Sequence, residues 1–172
     1  MEELRYPIGK FQLPGVITSE QFSSWKNDIA ALPSKMQLLT DGFKAHHWSQ
    51  TYRPEGWTAL QLVHHLADSH MNCFIRFKWS LTEENPTIKA YDEKAWANLP
   101  DVTQSSPMIS IQLLHALHQR WINLINNMTE QDFEKTFFHP IQQKTHSLKG
   151  AVGLYAWHGN HHLAHLKIIA DK

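Results

Sequence analysis

Apolar side chains recur at alternating spacings of three and four residues along four segments of this chain, and this pattern constrains its fold more than any other feature. Because an α-helix turns about once every 3.6 residues, such spacing gathers the apolar side chains on one face, which must then be buried. No clear run of the strict alternation typical of strands accompanies it. The sequence therefore predicts an all-α fold, a four-helix bundle, formed by a single domain that covers residues 1–172.

Residues that commonly cap helices mark four helix starts. Thr18 and Thr58 are each followed three residues later by Gln, as in a capping box, and Ser106 is followed by proline. Ser147 marks the start of the last helix, which continues towards the C-terminus. Inside the first of these helices, Pro33 lacks an amide hydrogen and crowds the preceding turn, so we predict a kink or break there.

The segments outside the four helices carry predictions of their own. Residues 1–17 contain two prolines and two glycines, and we expect an extended N-terminal arm over the body. Residues 83–104 form a long loop between the second and third bundle helices, whose aromatic content predicts an ordered flap and permits a crossover. Residues 133–145 form either a small hairpin or an irregular excursion.

Charge and cysteine content exclude several classes of protein. Lys and Arg number 16, as do Asp and Glu, so the formal net charge is zero. A nucleic-acid or anionic-membrane surface would require a basic excess on one face, so we expect neither of these partners. The single cysteine, Cys73, cannot form an internal disulfide, and the start MEELRYPIGK lacks the features of a secretory signal, so we expect a cytoplasmic protein.

Histidine is the most informative residue type, with 13 copies. Three of them occupy the apolar stripe of the last helix, where leucine or isoleucine would be expected. The stripe consists of Leu148, Ala151, Tyr155, His158, His162, His165 and Ile169. Burying one unpartnered imidazole costs a few kcal/mol. A metal ion bound by the rings would explain why all three occupy buried positions. The other reading is that these rings bond the backbone or water.

Two histidines four residues apart face the same side of a helix, as in helical zinc sites. His158 with His162 lies wholly on the stripe, whereas His161 with His165 lies half on its flank. A third ligand must come from another helix, because catalytic sites usually take three from the protein. The second helix offers three histidines, of which His65 is nearest the inward side; the other two are His64 and His70. In the third helix, His115 and His118 flank the stripe and are expected to be ordinary polar-face residues.

Motifs of several other metal sites are missing from the sequence. It contains neither His-Glu-x-x-His nor Glu-x-x-His, so a zincin and a carboxylate di-iron bundle are both excluded. An all-imidazole site suits zinc, nickel, copper or iron. Neutral ligands leave the full charge of the ion in place, which lowers the pKa of a bound water or stabilises an incoming thiolate.

Four stretches of the chain together resemble a known family. They are GWTALQLVHHLADSHMNCFIRFK, LTEENPTIKAYDEKAWANLPD, LHALHQRW and SLKGAVGLYAWHGNHHLAHL. In this order they are similar to the YfiT branch of the DinB-like superfamily of metal-dependent hydrolases. The resemblance implies a four-helix bundle that holds one divalent ion, zinc or nickel, with His65, His158 and His162. It also implies an open coordination position filled by water and a cytoplasmic homodimer.

The resemblance leaves the reaction open among three hypotheses. In the first, the protein is a hydrolase whose ion activates water, with Asp68 as a partner of the site or a proton acceptor, unless that carboxylate is simply solvated. In the second, it is a transferase that uses a small external thiol. Cys73 is not expected to be that thiol, because its position on the core stripe suits a buried apolar residue. In the third, the bundle binds metal or haem without turnover, or is structural. The small-molecule substrate is not specified. Tyr91 and Trp96 either line the mouth of a pocket or, as we expect, pack the long loop onto the bundle.

Overall fold

The computed structural model describes residues 2–172 and contains eight α-helices and one short hairpin within that range. The four long helices are α2 (Ser19–Thr40), α3 (Ala59–Thr82), α6 (Pro107–Asn126) and α8 (Leu148–Ala170). The short ones are α1 (Glu2–Arg5), α4 (Glu93–Trp96), α5 (Pro100–Gln104) and α7 (Glu130–Glu134). A 3₁₀ turn spans Ala45–Ser49, and the hairpin pairs β1 (Thr136–His139) with β2 (Lys144–Ser147).

The four long helices form the predicted four-helix bundle. Helix α2 packs against α6 and α8, and α3 packs against the same two helices. The consecutive helices α2 and α3 therefore lie across the bundle from each other, so their order around the bundle departs from a simple up-and-down arrangement. None of the helices within residues 2–172 is long and apolar enough to span a membrane.

All four predicted helix starts are confirmed. The hydroxyl of Thr18 accepts a hydrogen bond from a backbone N–H in the first turn of α2, and Thr58 forms a reciprocal capping box at the start of α3. Ser106 caps α6, and Ser147 caps α8 by accepting from the N–H of Gly150 at 3.1 Å. These bonds satisfy amide hydrogens that have no acceptor inside the helix.

Of the kink or break predicted at Pro33, the break is wrong, because α2 continues through this residue to Thr40. A proline at position 33 cannot donate to the carbonyl of Ile29 one turn earlier. In the structure that carbonyl has another donor, since Nδ1 of His118 lies 2.6 Å from the Ile29 oxygen. A side chain from α6 thus replaces the missing helix hydrogen bond, and the proline ring itself is buried.

The N-terminal arm is only partly extended, and its first residue, Met1, lies outside the described residues. Contrary to the prediction of an extended arm, Glu2–Arg5 form helix α1. The first turn of α1 carries Glu2 and Glu3, and acidic side chains are favourable at a helix N-terminus. Residues 9–14 have no regular structure, as predicted. The arm lies on α8, where the indole nitrogen of Trp157 donates to the carbonyl of Gly9 at 3.1 Å.

The long connection over residues 83–104 is ordered, but it contains two short helices, α4 and α5. Before α4, the connection pairs with the hairpin. The N–H of Ile88 donates to the carbonyl of Phe138 at 3.0 Å, and the N–H of Phe138 donates to the carbonyl of Pro86 at 2.9 Å. Of the two alternatives for residues 133–145, the hairpin is the one that forms. Connection and hairpin together cover one side of the bundle.

The buried apolar residues form two clusters along the bundle, one around Phe77, Trp121 and Tyr155 and one around Leu62, Leu114 and Leu166. On α8, the histidines lie between the residues that belong to the first cluster and those that belong to the second. The bundle therefore contains a polar layer between two apolar ones, and this layer holds the candidate site.

Candidate metal centre

Three histidines from two helices converge inside the bundle. His65 on α3 and the pair His158 and His162 on α8 place one ring nitrogen each within 4.8 Å of one another. The rings of His65 and His162 are buried, whereas His158 is half-buried. We refer to these three residues as the histidine trio. The trio consists of the same side chains that helical spacing and the family resemblance singled out.

The geometry and protonation of the trio fit a divalent ion. Two imidazole nitrogens bound tetrahedrally at the usual zinc distance lie about 3.3 Å apart, and Nε2 of His65 lies 3.2 Å from Nε2 of His158. Burial lowers the pKa of His65 to about 4 and lowers the pKa values of His158 and His162 well below their usual range. The rings are therefore neutral at pH 7, which is the form that binds metal.

The other histidines considered from the sequence occupy different surroundings. His64 bonds to the hydroxyl of Ser110 at 2.7 Å, away from the trio. His161 and His165 lie beside His162 in a second group of ring nitrogens within 4.8 Å of one another, without His65. Nε2 of His165 lies 3.3 Å from the carbonyl oxygen of Arg5. The two groups share His162, whose Nδ1 lies 3.2 Å from Nδ1 of His165. The His158–His162 pair meets His65 on α3, whereas His165 also contacts the N-terminal arm.

The expectation that His118 is an ordinary polar-face residue is wrong. This ring is only 2% exposed and joins a chain of histidine contacts with His70. Nε2 of His118 lies 3.0 Å from Nδ1 of His70, and Nε2 of His70 lies 3.2 Å from Nδ1 of His158. The sequence did contain a signal for His118, because it lies four residues after Leu114 and three before Trp121, at core spacing. His115 bonds to the side chain of Gln37 at 2.9 Å.

The carboxylate nearest the trio is Glu93 on α4, which the sequence did not single out. Its Oε2 lies 3.9 Å from Nε2 of His65, and partial desolvation raises the pKa of the Glu93 carboxyl, although the side chain is 60% exposed. Asp68 forms no hydrogen bond or ion pair with the trio through its carboxylate within residues 2–172. Burial, followed by the nearby charge of Asp101, raises the pKa of Asp68 to about 6. Glu93 was missed because it comes from the long connection, where periodicity gives no guide to contacts.

A cavity of about 380 Å³ opens beside the trio, between α3, α8, the hairpin and the long connection. Its polar lining includes Ser69, Arg76, Tyr91, Glu93, Tyr155 and His158. Tyr91 therefore lines the cavity, which is the less expected of its two alternatives. Trp96 lies against Tyr91, with the ring centroids 4.4 Å apart. Cys73 is fully buried, as expected, and burial raises the pKa of its thiol.

Comparisons with known proteins agree with this fold. The family model described as the DinB superfamily matches residues 29–166. A Bacillus mycoides (strain KBAB4) protein named "Putative metal-dependent hydrolase" is 45% identical over 172 residues, covering 100% of this chain and 98% of the relative. A Bacillus cereus (strain AH820) protein with the same name is 46% identical over 166 residues, covering 96% of this chain and 95% of the relative.

Two solved structures share the architecture. YfiT from Bacillus subtilis, described as a probable metal-dependent hydrolase with an unusual four-helix bundle topology, is 43% identical with a TM-score of 0.95, and the match covers 98% of this chain and 97% of that one. The mycothiol-dependent maleylpyruvate isomerase matches with a TM-score of 0.67 and 14% identity over 84% of this chain and 60% of that one. At this identity the second likeness concerns the fold alone.

Proposed function

This chain belongs to the DinB superfamily, and from that premise we propose that it is a metal-dependent hydrolase whose divalent ion is held by His65, His158 and His162. The observation that carries the proposal is the convergence of three neutral imidazoles beside a cavity large enough for a small molecule. Neutral imidazoles suit both zinc and nickel, and we propose one such ion per chain.

The ion would supply Lewis acidity, which polarises a substrate carbonyl or phosphoryl oxygen and acidifies water. The chain itself contributes the shape of the site and a proton acceptor. We assign the acceptor role to Glu93, because its carboxylate lies nearest the trio, 3.9 Å from Nε2 of His65, and partial desolvation raises its pKa. Asp68 remains a weaker candidate, since its carboxylate makes no contact with the trio.

Transfer of a small thiol is the competing proposal for the same site. The cavity beside the trio would admit such a molecule, and the thiol would have to come from outside, because the buried Cys73 has a raised pKa and is not nucleophilic. Turnover that requires an added thiol would favour this proposal over hydrolysis. The cavity favours either reaction over a purely structural role. The cytoplasmic homodimer stays a prediction from the family resemblance.

Elemental analysis of the protein purified without a His tag tests the metal site. We expect about one equivalent of zinc or nickel per chain in the parent and less than a tenth of that in His65→Ala, His158→Ala and His162→Ala, because two remaining imidazoles bind weakly. His64→Ala is a matched control, since His64 neighbours His65 but bonds to Ser110. Full metal content in the three Ala variants would refute the site.

A further inference from the structure

The buried cation of the cavity is Arg76 on α3, which is 8% exposed. Within residues 2–172, no carboxylate lies at ion-pair distance from its guanidinium. Its one hydrogen bond in the described chain is from Nη1 to the hydroxyl of Tyr155, at a long 3.4 Å. The guanidinium carbon also lies 6.0 Å from the ring centre of Phe137. Most of the five N–H donors of Arg76 therefore form no hydrogen bond within residues 2–172 and are available to a ligand.

A buried charge without a partner is costly, so such residues are normally paired. The planar fork of an arginine matches the two oxygens of a carboxylate or phosphate. Two hydroxyls stand beside the fork, since Oγ of Ser69 lies 3.4 Å from the Tyr155 hydroxyl that Arg76 contacts. Glu93, the acidic residue in the lining, lies 3.9 Å from His65 and makes no direct ion pair with Arg76, although the charge of Arg76 partly offsets the rise in the Glu93 pKa. This end of the cavity is thus positive and rich in donors, and His158 lines the same cavity.

We propose that Arg76 binds an oxyanion of the substrate, a carboxylate or a phosphate, and so orients the substrate's other end towards the histidine trio. This inference rests on the proposed function for the role of the trio, but the anion site itself needs no metal. It names the substrate class as a small anionic molecule, in keeping with a cavity of about 380 Å³.

The test uses metal-free protein, so that a failed metal site cannot hide or mimic the result. Succinate and inorganic phosphate are titrated separately at constant ionic strength, and the Nε–H resonance of Arg76 is followed by NMR. We expect a saturable shift with at least one anion and about tenfold or greater weakening in Arg76→Gln, because charge-assisted hydrogen bonds are lost. The anion that saturates distinguishes a carboxylate from a phosphate substrate.

Arg120→Gln is the matched control, because it removes the same charge from an exposed position outside the cavity. We expect it to bind the anions as the parent does. The proposal is overturned if the Arg76 resonance does not respond to either anion, or if both variants weaken binding equally. The resonance of Arg76 in the parent shows whether either anion binds there, even if Arg76→Gln fails to fold.

A separate observation concerns which ring nitrogens carry the hydrogens in the row of contacting histidines His118, His70 and His158. The carbonyl of Ile29 can only accept, so Nδ1 of His118 must carry the hydrogen of that 2.6 Å bond. In a neutral ring Nε2 of His118 is then an acceptor, and Nδ1 of His70 donates to it at 3.0 Å. By the same argument, Nδ1 of His158 donates to Nε2 of His70 at 3.2 Å.

The consequence is that Nε2 of His158 carries a lone pair and no hydrogen. This nitrogen is the one that faces Nε2 of His65 in the trio. Metal-binding histidines generally donate their other N–H to an oxygen acceptor, which fixes the ring and its tautomer. Here two further imidazoles separate the trio from that oxygen, which is the carbonyl left free by Pro33.

We infer that His70 and His118 are positioning residues that set the tautomer and orientation of His158 for metal binding. The part of this inference that concerns metal rests on the proposed function, whereas the tautomer can be read without metal. The test is a long-range ¹H–¹⁵N correlation spectrum of the metal-free protein with ¹⁵N-labelled histidine. We expect His158 in the Nδ1–H form in the parent and in a mixture of forms in His118→Phe.

Metal affinity provides the second readout. We expect the zinc Kd to rise about 10- to 100-fold in His118→Phe and to recover in His118→Gln, whose amide can donate to Ile29 and accept from His70. His115→Phe, on the same helix but bonded to Gln37, should leave the Kd unchanged. An Nε2–H form of His158 in the parent refutes the relay, and so does an unchanged tautomer and Kd in His118→Phe.

Discussion

Zinc at about 1,000 times its Kd is expected to raise the Tm of this protein by roughly 8–16 °C. A ligand at that concentration that binds only the folded state adds about 4 kcal/mol to the free energy of unfolding. For a chain of this size each kcal/mol corresponds to about 2–4 °C. The His162→Ala variant should lose this gain, since it removes one of the two α8 imidazoles from the trio. Differential scanning calorimetry with and without zinc measures both values.

The comparison must use the difference between the two scans of each variant, because removing a buried ring changes the Tm by itself. His46→Ala is a suitable control, since His46 is exposed on the 3₁₀ turn. It should keep the full zinc-induced shift. An equal shift in His162→Ala would mean that zinc stabilises the protein through other residues, and the proposed ligand set would be wrong.

Trp121→Ala is expected to be among the most destabilising single substitutions, at about 3–5 kcal/mol. The indole of Trp121 is completely buried. Its ring lies edge-on to Phe77 at 5.3 Å and to His118 at 5.8 Å between centroids. Truncation would leave a large void between the apolar cluster and the histidine layer. Urea unfolding of the metal-free protein measures this loss.

Trp121→Phe is the comparison variant for Trp121→Ala. The indole Nε1 is buried and has no hydrogen-bond partner within residues 2–172. Phenylalanine keeps most of the ring contacts and removes that unsatisfied N–H, which itself costs about 1–3 kcal/mol. We therefore expect Trp121→Phe to lose less than half of what Trp121→Ala loses. Equal losses in the two variants would contradict this expectation.

The sequence predicted those features that depend on local structure. Helix starts such as Thr58 follow from hydrogen bonds within one turn, and the pairing of His158 with His162 follows from helical periodicity. The extent of α2 could not be predicted in this way, because the donor that compensates for Pro33 is a histidine 89 residues away in sequence from Ile29. Local rules describe what a proline removes from its own helix but not what a neighbouring helix supplies.

In the candidate site, too, local patterns predicted some residues, whereas others depend on contacts between distant segments. His65 was selected because it lies on an inward helix face, whereas Glu93 and Arg76 acquire their significance only from the cavity they share. Glu93 comes from a connection without periodicity, and Arg76 looks like an ordinary helix-surface cation in the sequence. For His118 the sequence is ambiguous, because its spacing from Leu114 and Trp121 places it in the core, whereas an apolar stripe that passes through Leu117 leaves it on the flank.

The hairpin and the connection that pairs with it form one side of the cavity, while the histidine trio comes from two bundle helices. Substitutions in β1, β2 or residues 83–92 can therefore change which molecules enter the cavity without disturbing the rings of the trio. Surface segments of this kind tolerate sequence change better than the elements they connect. A bundle built in this way can diversify in substrate choice during evolution while it keeps one inherited metal chemistry.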